Sequence, residues 1–222
     1  MIFSLQVMEI IGLSIQVSTI AVLFGMLVGI PCGAFLGLYS FPGKRFIVIL
    51  LFTLMGLPPV LIGVIVYMAL SKYGLLGFFQ LLFTPEAMII AQTILVTPII
   101  TGLTMSAVQA RERTYWETAK SLGATPLQLV WTILKEARGG IWSGISTAYG
   151  RAISEVGAVM LVGGNIEHET RVMTTAIILE TRKGNFDIAL QIGAVLLLIS
   201  FIFNSFLVAG ALQNLNDGRR KT

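Results

Sequence analysis

Two charges stand inside a long apolar run: Arg151 and Glu155, one helical turn apart. At that spacing they share one helix face, and charges set this deep among apolar residues face a protein or water interior. Two readings fit the pair. It is either a salt bridge that neutralises both groups, or a guanidinium that offers positive potential to a passing anion or a partner subunit. A second polar set, Thr93, Thr97, Thr101 and Thr104, recurs along one side of a helix. Such a stripe either lines a polar path for an oxyanion or returns its hydroxyls to the carbonyls of its own helix. Catalytic constellations are missing. There is no GxxxxGK[ST] phosphate loop, no GxSxG and no HExxH. His168 is the single histidine, flanked by Glu167 and Glu169, and reads as a solvated surface residue; no second histidine is available for a metal. Cys32, the single cysteine, reads as a small packing residue and leaves no internal disulfide. The chain is expected to be no enzyme and to need no cofactor or metal. If ATP powers it, the ATP site lies on a separate subunit.

The elements that must position these residues follow from composition. The 222 residues are 55% hydrophobic and 12% charged, with a mean hydropathy of +0.87. Soluble domains are about a quarter charged, so the expected fold class is all-α, a polytopic membrane protein. No Lys or Arg precedes Lys44, which argues against a signal peptide. Apolar runs predict five transmembrane helices at about 10–38, 46–70, 86–108, 139–162 and 188–213, in one transmembrane domain over 1–222. Gly25, Gly29, Gly33 and Gly37 give the first span a smooth face suited to close helix packing. Pro58-Pro59 should kink or interrupt the second.

The long polar interval is a two-helix loop at 109–138, RERTYWETAKSLGATPLQLVWTILKEAR at its centre. Gly123 sits where a helix end favours a left-handed residue. Thr125-Pro126-Leu127-Gln128 then reads as a start signal: a threonine N-cap, proline in the first turn and glutamine at the capping-box position. Leu127, Val130, Trp131 and Leu134 share a face of the second helix. A pair of helices held between spans is there to touch something outside the bilayer. A second polar interval, 163–187, is richer in acids than bases.

Basic residues choose the orientation. Placing Lys44 and Arg45, the 109–138 loop and the tail with Arg219, Arg220 and Lys221 on one side collects most of the fifteen Lys and Arg. The positive-inside rule then sets the N-terminus outside, the C-terminus inside and the two-helix loop in the cytoplasm.

At this point the loop becomes specific. Glu117-Thr118-Ala119, three residues, Gly123, nine residues and Ile133 resembles the EAA loop of ABC importer permeases of type I, whose pattern is E-A-A-x3-G-x9-I-x-L-P. Thr118 replaces an alanine, and Lys135 and Glu136 stand where leucine and proline are usual. Gly150-Arg151-Ala152-Ile153-Ser154-Glu155-Val156-Gly157-Ala158, followed by Gly163-Gly164-Asn165-Ile166, resembles the A-R-A-[IL]-[GS]-E-[FV]-G-A…GN segment of molybdate, tungstate and sulfate permeases. Val156 in place of phenylalanine, and the GGNIEHETRVMTTAI run, most resemble the tungstate importers.

The resemblance implies a bacterial or archaeal inner-membrane homodimer that takes an oxyanion, tungstate first, from an external oxyanion-binding protein. It implies two copies of a cytoplasmic ABC ATPase subunit, docked on a coupling loop carrying Glu117, Ala119, Gly123, Ala124 and Ile133. The runner-up is a gradient-driven secondary anion transporter or channel with Arg151 and Glu155 as a relay; no clear inverted repeat supports it. A DNA-reading helix-turn-helix ranks last, because Leu127–Leu134 presents leucines and a tryptophan rather than basic residues.

Overall fold

The computed structural model describes the backbone of residues 5–121 and 123–219, and the side chains of residues 7–111 and 123–206. Among the described residues regular structure is entirely helical. The order is α1 (Leu5–Leu38), α2 (Lys44–Met55), α3 (Pro59–Leu70), a 3-10 turn (Gly77–Phe79), α4 (Pro85–Ser121), α5 (Pro126–Ile153), α6 (Gly157–Gly163), α7 (Met173–Arg182) and α8 (Phe186–Arg219). Three helices carry stretches long and apolar enough to cross a membrane: Val7–Leu38, Pro85–Arg111 and Phe186–Phe206. A fourth span forms if α2 and α3 are taken together, although the chain turns by 97° at the break between them. The break follows from sequence: α2 ends at Gly56, and Pro58 is extended (φ −61°, ψ 126°) before Pro59 opens α3.

The expected fourth span differs most. Instead of one helix over 139–162, α5 runs from Pro126 to Ile153, and α6 follows after a break at Ser154–Val156. Likewise the loop at 109–138 is no separate pair of short helices. Its first helix is the end of α4 and its second is the beginning of α5. Polar side chains end a membrane run without ending a helix, because Glu, Lys, Arg and Ala are all good helix formers.

The chain divides into two compact units, Met1–Phe24 with Leu57–Val96 and Tyr149–Ile202, and Gly25–Gly56 with Thr97–Ala148 and Phe203–Thr222. In the second unit α4 is the element on which the others pack, and glycines set how closely. A Cβ on Gly29 would lie 2.9 Å from Ile100 Cγ2; on Gly33, 2.5 Å from the Thr101 carbonyl; on Gly37, 2.6 Å from Val108 Cγ1. The expected smooth face of α1 is therefore the contact with α4. From α5, Gly140 meets Ala107 and Gly144 meets Leu103; from α2, Leu51 and Met55 meet Gly102. Leu36, Leu51 and Met105 close this core, with Phe41 and Val48 against it.

In the first unit α3 packs on α6. Gly63 lies against Ala158, and Gly157 against Val60. The turn after α6 is tied to its surroundings by Phe83 N–H on the Val162 carbonyl (2.9 Å) and by Met173 N–H on Ser14 Oγ (2.8 Å).

Candidate functional site

In the first unit the break between α5 and α6 is built around Glu155, whose side chain is almost fully buried while that of Arg151 is 39% exposed. One carboxylate oxygen accepts from Ala158 N–H at 3.1 Å and so caps α6. The other lies 3.6 Å from Arg151 Nη1. The Glu155 carbonyl, left free by the break, accepts from Thr174 Oγ1 at 2.8 Å. Ser154 Oγ donates to the Gly150 carbonyl at 2.8 Å, closing the last turn of α5. The salt bridge is thus present, and its acid also holds the helix break together. Arg151 alone of the two reaches outward. Gln92, unremarked in the sequence, anchors the same region: it is buried and its Nε2 donates to the Ala152 carbonyl at 3.1 Å. A lone glutamine within an apolar run was the available signal.

The threonine stripe is engaged partly in hydrogen bonds to its own helix and partly in packing. Thr93 donates to the Ile89 carbonyl at 2.7 Å and Thr101 to the Thr97 carbonyl at 2.8 Å. Thr104 is fully buried, its Cβ 2.7 Å from where a Cβ on Gly33 would stand. Thr97 contributes its carbonyl to the contact with Gly29. Thr97, Thr101 and Thr104 and the glycines Gly29 and Gly33 are two halves of one helix contact.

The turn after α6 has Gly164 and Asn165 both at positive φ (74° and 54°). A Cβ on Gly164 would meet the Phe83 ring at 2.8 Å, so both conformation and space require glycine here. Thr170 Oγ1 accepts from Ile166 N–H at 2.9 Å and donates to the Gly163 carbonyl, which locks the turn. His168 is exposed as expected but has a partner: its Nδ1 lies 2.8 Å from Glu9 Oε2 on α1. Among the described residues no group of His, Cys, Asp and Glu is placed to hold a metal. Cys32 is exposed on α1. The Lys183 ammonium, together with the Asn185 amide, holds the Glu180 carboxyl below the ordinary carboxylate range.

In the second unit the turn between α4 and α5 matches the start and stop signals. Gly123 has φ 74°. Thr125 N–H donates to Gln128 Oε1 at 2.9 Å and Gln128 N–H to Thr125 Oγ1 at 3.4 Å, a reciprocal capping box. Glu117 and Ala119 fall in α4 outside the described side chains, and Ala124 is half-buried beside Gly123. Ile133 is fully buried, on a stripe with Leu129, Ala137 and Ile141. Leu127 and Trp131 point the other way and are 80% and 71% exposed. Of the face grouping Leu127, Val130, Trp131 and Leu134, the first and third are outward and the other two half-buried, while the internal contact is made by Leu129 and Ile133.

The family model described as binding-protein-dependent transport system inner membrane component matches residues 29–221. The tungstate uptake system permease protein TupB of Peptoclostridium acidaminophilum is 45% identical over 91% of this chain and 89% of its own. The protein of the same name from Campylobacter jejuni is 42% identical over 75% of this chain and 70% of its own. Among solved structures, the MetNI methionine ABC transporter in an inward-facing conformation shares the fold. Its TM-score is 0.74, over 93% of this chain and 96% of that one, at 15% identity. With matches of this length and strength, the chain belongs to the family of inner membrane components of binding-protein-dependent transport systems.

Proposed function

We propose that this chain is the permease subunit of an ATP-driven importer that moves tungstate from an external binding protein into the cytoplasm. The observation that carries the reading is the 45% identity to a tungstate uptake permease across nine-tenths of the chain. In this reading residues 1–222 form one transmembrane domain of five spans, with α2 and α3 as one broken span and α5 with α6 as another. The N-terminus lies outside and the C-terminus inside, as the basic residues direct. The chain does no ATP chemistry; hydrolysis belongs to two copies of an ABC ATPase subunit below it. Two copies of the chain pair around the path, since five spans are few to enclose one alone. The exposure of α8 supports such pairing: only 11% of its apolar stretch is buried within the chain.

Coupling runs through the α4–α5 turn from Glu117 to Ile133. Because this turn joins two long helices, a push on it moves whole helices rather than a loop. Leu127 and Trp131 are the docking side chains toward the ATPase, and Ile133 holds the lever to its own unit. Arg151, partly exposed beside its buried partner, supplies positive potential toward the path, while Glu155 keeps that charge in register. The substrate reading is tested by measuring ATPase stimulation in the complete transporter with its binding protein loaded in turn with tungstate, molybdate and sulfate. Stimulation by tungstate at the lowest concentration is expected. Response to none of the three overturns the oxyanion reading.

A further inference from the structure

A cleft of about 640 Å³ opens in the first unit between the N-terminal turns of α1, the turn after α6, α7 and α8. Its walls are apolar: Val7, Ile10 and Leu13 from α1, and Ile188, Ile192 and Val195 from α8. Both helices carry stretches long and apolar enough to cross a membrane, so these walls stand where acyl chains run. The mouth is charged. Glu9, Glu167, Glu169 and Glu180 face Arg171 and Lys183, four carboxylates against two bases and a net charge of −2 with His168 neutral. Lys183 is paired with Glu180 at 2.7 Å, Arg171 with Glu167 at 3.4 Å and His168 with Glu9 at 2.8 Å. An ammonium here joins carboxylates that already have partners, and adds to them because acids outnumber bases. A negative mouth repels a doubly charged oxyanion and attracts an ammonium. A cleft of this volume lined by both apolar and charged side chains suits an amphiphile.

We propose that this cleft binds an amine-bearing phospholipid, with an acyl chain between α1 and α8 and the ammonium among Glu9, Glu167 and Glu169. The site does not depend on which anion is carried. The test is native mass spectrometry of the purified transporter after exchange into equal amounts of phosphatidylethanolamine and phosphatidylglycerol with matched chains. Phosphatidylethanolamine should stay bound under activation that strips phosphatidylglycerol. The double variant Glu9→Gln, Glu167→Gln should lose this preference or turn it toward phosphatidylglycerol. Ala194→Trp, at an exposed position lining the cleft, should lose both lipids while the transporter stays assembled. Equal retention of the two lipids by the unsubstituted protein, or a preference unchanged in both variants, overturns the proposal. Release of phosphatidylethanolamine on adding the binding protein alone also overturns it, by making the mouth a protein interface.

Discussion

Replacing Glu155 separates its two roles. Its carboxylate caps α6 through Ala158 N–H and pairs with Arg151. Loss of a helix cap costs about 1 kcal/mol. Removing one partner of a fully buried ion pair costs roughly 3–5 kcal/mol. Arg151 is 39% exposed, so solvent screens the remaining charge and brings that figure down to about 1–2 kcal/mol. Glu155→Gln keeps an oxygen that can accept from Ala158 and should lose only the pair, about 1–2 kcal/mol. Glu155→Ala loses both and should cost about 2–3 kcal/mol. The double variant Arg151→Gln, Glu155→Gln leaves no unpaired charge and should regain part of what Glu155→Gln loses. Unfolding of the purified protein in mixed micelles, titrated with a denaturing detergent, reads all three. Equal destabilisation by glutamine and alanine would refute the cap. A double variant with the summed loss of its two single variants would refute the pairing.

Four further outcomes follow from helix contacts and from the turn. Gly33→Leu drives a side chain into the Thr101 carbonyl and Thr104, and should destabilise by about 1–3 kcal/mol or more in the same unfolding assay; Gly12→Leu, with nothing within 4 Å, is the neutral control. Ile133→Ala should cost about 2–5 kcal/mol because its side chain is fully buried. Leu127→Ala and Trp131→Ala should stay within about 0.5 kcal/mol of the unsubstituted protein, yet abolish substrate-stimulated ATPase activity of the whole transporter; retained stimulation would remove them from the docking face. Gly123 has open space around it, so what it supplies is the left-handed turn. Asn should therefore replace it with little loss of stability, whereas Val should cost about 1–2 kcal/mol.

Much of this architecture was readable because the signals were local. The length of an apolar run marks a span, and the Thr125–Gln128 box and Gly123 set a helix boundary through bonds within four residues. The glycines of α1 were readable as a packing face because each lies one turn from the next. The threonine stripe was ambiguous for a physical reason: spacing by a helical turn puts a hydroxyl near its own carbonyls and also on a common face. Only the position of α1 decides between the two. The break at Ser154–Val156 could not be read, since no proline marks it; Glu155 and Thr174, nineteen residues apart, make it. The extent of α4 and α5 was missed because a change from apolar to polar was taken as a change of structure. Helix propensity continues through Glu117, Ala119 and Lys120. Spacing alone groups the apolar residues of α5 but does not separate Leu127 and Trp131, which are exposed, from Leu129 and Ile133, which are buried.

In the function proposed above, ATP hydrolysis on a separate subunit drives transport through this chain and is transmitted through the α4–α5 turn. Proteoliposomes containing the chain and its ATPase test it most directly, with binding protein on the outside and labelled tungstate as substrate. Accumulation should require ATP on the ATPase side and the binding protein on the other, and should cease in Trp131→Ala while the complex stays folded. Accumulation driven by an imposed ion gradient without ATP, or undiminished in Trp131→Ala, would contradict the account.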